Sequence, residues 1–265
     1  MKIRSVQFSF LVTVICAILA IAIFVGGLCI YEVDSYIQQQ AKDLIDITCS
    51  NEALQINDVF GDMKKSVKIM ESYVLSFFKS EADVTDLAKQ AEVVQYVDEM
   101  FAEVAKNTDG AIAYYLRYDP AISNSTAGVF YSKTNGSEEY LRFPPTDISM
   151  YSKDDTEHVG WFWEPYDKKA PVWMKPYHNQ NNDILMISYV IPMYFGERFI
   201  GVVGMDFDYR ALVNQVNEIK IYENGFACLA LDGAIISDGS AAPDADTPPS
   251  ERDYMHVSED LVNGM

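Results

Sequence analysis

Three hydrophobic patterns succeed one another along the chain. The first is continuous: no charged residue lies between Arg4 and Glu32, and Phe8 to Ile30 is almost wholly apolar. A run of that length predicts a helix able to cross a bilayer, and it is too long for the apolar core of a cleaved leader. Lys2 and Arg4 before it, and Glu32 and Asp34 after it, place the short amino terminus in the cytoplasm and the rest outside. The second pattern is helical. From Tyr31 to about Lys79 there is no proline and one glycine, Gly61. Ile56, Phe60, Met63, Val67, Met70, Val74 and Phe77 follow at alternating spacings of four and three, and Ile37, Leu44, Ile47 and Leu54 make a second row above them. Such a stripe can lie along a domain or against a second copy of the chain. A polar break at Ser80-Glu81-Ala82-Asp83 leads to a further helix, about Thr85 to Lys106. Asp83 or Thr85 is its expected N-cap, and Leu87, Val94, Val97, Phe101 and Val104 its buried stripe.

The third pattern is that of strands. Ala111 to Tyr118 (AIAYYLRY) is stopped by Asp119-Pro120, and a regular strand would put Arg117 on one face with Ala111, Ala113 and Tyr115. That arginine is either an exposed strand-end residue or an inward one. A short strand is expected from Val129 to Ser132, then loops and a short helix from Thr134 to Glu157. DILMISYVIPMY and RFIGVVGMDFDY, joined through Phe195-Gly196-Glu197, predict an antiparallel hairpin. All three tryptophans, Trp161, Trp163 and Trp173, stand just ahead of it, and Asp206 lies near its far end. Aromatics packed ahead of such a hairpin, with a carboxylate at its end, describe a small-ligand pocket. Ala211 to Lys220 reads as a short helix, and YENGFACLALDGAIISDG as a second hairpin turning at Asp232-Gly233. One hairpin cannot bury its own face, so the unit it opens reads as incomplete.

Composition narrows the function. The 265 residues are 49% apolar and carry a net charge of −19, or −21 once Lys2 and Arg4 are set aside. Such a surface repels phosphates, which excludes nucleic-acid binding. The four cysteines are scattered without CxxC spacing, so neither a zinc site nor a disulfide framework is expected. His158, His178 and His256 show no paired metal-ligand spacing, and no GxSxG elbow, Walker loop or GxGxxG after a strand occurs. No catalytic residue, cofactor or metal is expected. An anchored hydrolase and a structural stalk protein are the readings from other classes.

An apolar span, a long helix, YYLRYDP, WFWEPYDKKAPVWMKPY, ISYVIPMY, FIGVVGMDFDY and IYENGFACLALDG, in that order, resemble the double Cache sensors of bacterial transmembrane receptors. The resemblance covers roughly Tyr31 to Gly239. It implies an α+β fold, with a long helix against PAS-like antiparallel sheet lobes, and a division into an anchor (1–31), a stalk helix (32–84), a membrane-distal ligand-binding lobe (85–220) and the start of a membrane-proximal lobe, truncated here (221–265). In amino-acid-binding members, an arginine two residues before a Trp-Tyr pair, with that pair, holds the ligand carboxylate. A Tyr-x-Asp after proline and the aspartate of the GVVG-x-D strand hold the amino group. Trp161, Tyr177 and Asp206 match this pattern, whereas Phe162 replaces the tyrosine, Asn179 the first aspartate and Val159 the arginine.

An aromatic wall with one buried carboxylate suits an ammonium, so an amine or modified amino acid is the expected ligand. Arg117, if inward, would restore ordinary amino-acid binding. The seam along the long helix makes a homodimer the expected assembly, and the resemblance implies a diguanylate cyclase output in a region not in this chain, or else a chemotaxis or histidine kinase output.

Overall fold

The structure, a computed structural model, describes residues 2–134, 137, 139–179, 184–220, 227–231 and 234–238. Helix α1 runs from Lys2 to Ser76. The chain divides into two compact units, Met1–Ala53 and Leu54–Met265. The first consists of α1 residues alone. It holds the only helical stretch among the described residues that is long and apolar enough to cross a membrane, and the most apolar window of that stretch has none of its residues buried. Ile37, Leu44, Ile47 and Leu54, the upper row, are exposed.

In the second unit the lower stripe of α1 is core. Met63, Val67, Met70 and Val74 are fully buried, with Ile56, Phe60 and Phe77 packed at the margins. Of the two uses open to that stripe, the structure shows packing along the domain. A short helix α2 (Glu81–Thr85) and α3 (Leu87–Lys106) follow. Their caps differ from the sequence expectation. Ser80 caps α2 in a reciprocal box with Asp83, at 3.3 and 3.0 Å, and Asp86 caps α3 by accepting from the Ala88 amide at 2.9 Å. The buried stripe of α3 is Gln90, Val93, Val97, Phe101 and Ala105, while Leu87 is half exposed. Gln90 turns inward because its amide donates to the carbonyls of Val84 (2.7 Å) and Ile122 (3.1 Å) and accepts from Ser123. A polar residue with three hydrogen-bond partners at the helix–loop junction is one that an apolar pattern cannot place.

The sheet is wholly antiparallel. It contains β1 (Ala111–Tyr118), β2 (Gly128–Ser132), β3 (Leu141–Arg142), β4 (Val172–Trp173), β5 (Tyr177–Asn179), β6 (Ile184–Phe195) and β7 (Arg198–Asp208), in the order β3-β2-β1-β7-β6-β4, with β5 also paired to β6. The expected hairpin is β6–β7. Phe195 pairs with Arg198, so its loop is Gly196-Glu197, with Gly196 at φ 60°, the positive φ a two-residue hairpin needs at its first position.

One sheet face, with Tyr114, Leu116, Tyr118, Val203 and Met205, packs in the same cluster as the α1 and α3 stripes. The other carries Ala113, Tyr115, Val190 and Val202 in a second cluster with Val159 and Phe162 of α4 (Thr156–Lys168). A bulge at Ala111/Ala113 sends Ala111 to the first face. The shared face expected for β1 therefore holds for Ala113, Tyr115 and Arg117 only. The aromatic segment ahead of the hairpin is helix α4, capped by Asp155 and ended by Lys169 at φ 49°. Helix α5 (Tyr209–Glu218) leaves β7, and β8 (Cys228–Leu231) pairs with β9 (Ala234–Asp238). The Asp232-Gly233 turn and everything after Asp238 lie outside the described residues.

Candidate functional site

On the α4 side of the sheet a cavity of about 90 Å³ is walled by Tyr115 and Arg117 of β1, Trp161 and His158 of α4, Tyr177 of β5 and Asp206 of β7, among others. That is several times the space one water needs. Strand alternation puts these groups there. Arg117 and Tyr115 share a face, and cross-strand pairing brings Asp206 opposite Ala113 on one side and Ser188 on the other.

Arg117 is 1% exposed. Its Nη2 donates to the carbonyls of Ser125 (2.7 Å) and Thr146 (2.6 Å), its Nε reaches that of Ala127 at 3.4 Å, and its guanidinium lies 5.8 Å from the Trp161 ring. Burial lowers its pKa to about 10, while the charge of Asp147 acts the other way. Among the described residues Arg117 has no carboxylate within ion-pair distance. Backbone approach is tight around it: a Cβ on Gly128 would come within 1.9 Å of the Leu116 carbonyl oxygen, and one on Gly201 within 2.0 Å of the Arg117 carbonyl oxygen.

Asp206 is equally buried, and neither of its carboxylate oxygens has a hydrogen-bond partner. Burial pushes its pKa up to about 7, with the nearby Ser188 hydroxyl pulling the other way. That hydroxyl also lies 2.8 Å from the Tyr177 hydroxyl, either of the two being able to donate. The Tyr115 hydroxyl is buried and also lacks a partner. Burial first, and the charge of Asp206 second, hold both the Tyr115 and Tyr177 phenols in their neutral form. Trp161 is fixed from both sides: its Nε1 donates to the His158 carbonyl at 2.9 Å, and Tyr115 meets it edge-on at 5.3 Å. His158 is in turn held by Asp155 at 2.9 Å and stacked on Tyr151. The cavity thus offers a buried cation, a buried unpartnered carboxylate and aromatic walls between them.

Trp161, Tyr177, Asp206 and Arg117 therefore converge. Phe162 does not. Successive helical residues diverge by about 100°, and with Trp161 turned to the cavity Phe162 enters the core, edge-on to Trp163 (4.9 Å) and Phe199 (5.7 Å). Asn179 pairs with Ile184 through its backbone, and its side chain lies outside the described residues. Tyr115 carried a signal in the sequence, as the strand neighbour of Arg117. Thr146, Tyr151 and Glu157, also on the wall, come from loops and a helix start, where no periodicity marks them. No group of three or more His, Cys, Asp or Glu able to hold a metal occurs among the described residues.

Residues 97–214 match the family model of the methyl-accepting chemotaxis protein-like, first PDC sensor domain. No curated protein matches the sequence. Among solved structures, the sensory domain of the Campylobacter jejuni chemoreceptor Tlp3 is similar at 14% identity and a TM-score of 0.50, over 70% of this chain and 67% of that one. Its complex with L-valine gives 14% and 0.51, over 70% and 66%. The extracellular domain assigned to a histidine kinase, mmHK1S-Z3, gives 16% and 0.50, over 77% and 70%. The chain spans about two thirds of the Tlp3 structures, and at such identity the likeness is one of fold. The Cache resemblance is borne out: residues 97–214 match a sensor-domain model, and the fold, helices against an antiparallel sheet, is shared with solved sensory domains. The diguanylate cyclase output finds no support in these matches, which name chemotaxis and histidine kinase receptors.

Proposed function

We propose that this chain is the extracytoplasmic ligand-sensing region of a bacterial membrane receptor, anchored by the apolar part of α1, and that its cavity binds a small molecule bearing both an ammonium and a carboxylate. The observation that carries the reading is the pair of buried, mutually unpaired charges facing one cavity. A buried carboxylate without donors is costly, and an ammonium would supply charge-assisted hydrogen bonds to Asp206 and the Tyr115 oxygen. The unshared part of the Arg117 guanidinium would take the carboxylate, while Trp161 and Tyr177 would enclose the body of the ligand.

The division into anchor (1–31), stalk helix (32–84), ligand-binding lobe (85–220) and a further lobe from 221 belongs to the same proposal, as does pairing into a homodimer. Chemotaxis or histidine kinase signalling is the output these matches favour over diguanylate cyclase. Ligand would act by binding one of two arrangements of the receptor more tightly than the other.

Thermal melting of the purified full chain in detergent, against amino acids, alkylamines and small carboxylates, tests this. A ligand that binds only the folded state raises the midpoint. The expected result is a rise with zwitterions that disappears in Asp206→Asn. A rise with alkylamines alone would reduce Arg117 to a structural residue, and a cooperative melt that no compound shifts would remove the sensing role.

A further inference from the structure

The two poles of the cavity are far apart along the sheet. On its β1–β7 floor, Arg117 pairs with Val202, Tyr115 with Gly204 and Ala113 with Asp206. Arg117 and Asp206 are thus four rungs apart, about 13 Å at the strand rise of about 3.3 Å per residue. The guanidinium does not lean back across that distance. It donates to Ser125 and Ala127, on the loop beyond the Tyr118 end of β1, and the Ala127 carbonyl also accepts from the Tyr118 amide at 3.1 Å. Asp206 lies toward the other end of the strand and has a short side chain.

Tyr115 fills the interval. Its ring lies directly over Gly204, where a Cβ would come within 2.3 Å of the ring carbon Cζ. The tyrosine therefore floors the cavity between the charges, with its unpartnered hydroxyl buried there, and only a glycine at 204 lets it do so. With the rung separation as the scale, a hydrogen bond of about 2.8 Å at each end leaves on the order of 7 Å or more between the charged groups of a bridging ligand. Three backbone bonds span about 3.8 Å, so the gap corresponds to roughly five or six bonds.

Resting on the zwitterion reading above, we propose that the cavity selects a ligand whose ammonium and carboxylate are held apart by a flexible chain, an ω-amino acid or its equivalent, over an α-amino acid. In an α-amino acid both charges sit on one carbon, so satisfying Asp206 leaves Arg117 without its anion. Tyr115, set over Gly204, is the residue that keeps the two poles from sharing one small group.

The test is calorimetric titration of the full chain in detergent at pH 8 with glycine, β-alanine, 4-aminobutanoate, 5-aminopentanoate and 6-aminohexanoate, beside L-alanine, L-valine and pentylamine. Affinity is expected to rise at least tenfold from β-alanine to the five- or six-carbon member, with L-valine at least tenfold weaker than that member. In Arg117→Met the advantage of the long ω-amino acid over pentylamine should vanish. If L-valine or L-alanine binds as tightly as any ω-amino acid, the spacing inference fails while the zwitterion reading stands. If pentylamine alone binds, or nothing does, both fail. The wild-type series decides the matter even if the arginine variant does not fold.

Discussion

Asp206 carries the sharpest consequences at the scale of single residues. Its folded-state pKa of about 7 stands above the ordinary 3.8, so the folded protein holds this proton more tightly than the unfolded chain does. The contribution to stability is therefore greatest below about pH 4, falls as the pH rises toward 7 and is level above it. Three units at about 1.4 kcal/mol each set the scale at about 4 kcal/mol. Chemical denaturation at pH 5 and pH 8 should show wild type losing about 2–3 kcal/mol more over that interval than Asp206→Asn. The same ionisation governs the ligand: affinity for an ammonium should rise about tenfold per pH unit up to 7 and flatten beyond it. How far such residues could be read from sequence depended on what holds them. Asp206 was visible because its place near the far end of the hairpin and the GVVG-x-D pattern both mark it. The inward turn of Arg117 was not decidable, because its partners are backbone carbonyls of Ser125, Ala127 and Thr146, which leave no side-chain pattern. Phe162 was misplaced because a pair of adjacent aromatics does not say which of them a helix turns to the cavity.

Among the elements, α1 separates buried from exposed rows along one helix. Val67→Ala and Met70→Ala remove fully buried side chains and should cost about 2–4 kcal/mol in denaturant titrations. Ile47→Ala, at an exposed position, should leave the midpoint within error. Ser80→Ala removes half of the α2 capping box and should cost about 1 kcal/mol. Long periodic elements were legible: β1, the β6–β7 hairpin, the α1 stripe and α5 lie within a few residues of where the pattern puts them. Helix α4 was not, because Gly160, Pro165 and four aromatics give it poor intrinsic propensity. Its strongest local signal, the Asp155 cap, sits in an acid-rich stretch. Packing of Val159 and Phe162 under the sheet supplies what propensity lacks.

For the whole molecule, the apolar part of α1 and a charge of −19 predict that the chain stays with the membrane fraction through an alkaline carbonate wash. A variant with arginines at Ile18 and Ile21 should instead be released. The sensor class was legible because several moderately specific segments occur in family order, whereas the ligand was not, since its charge spacing depends on cross-strand register that no linear motif encodes. The most direct measurement is a titration of the detergent-solubilised chain with 5-aminopentanoate at pH 8, in wild type and Asp206→Asn. Saturable one-site binding in wild type, weakened at least a hundredfold in the variant, is the predicted result. Equal binding in both proteins would show that the cavity beside Asp206 is not the site of recognition, and would contradict the account at its centre.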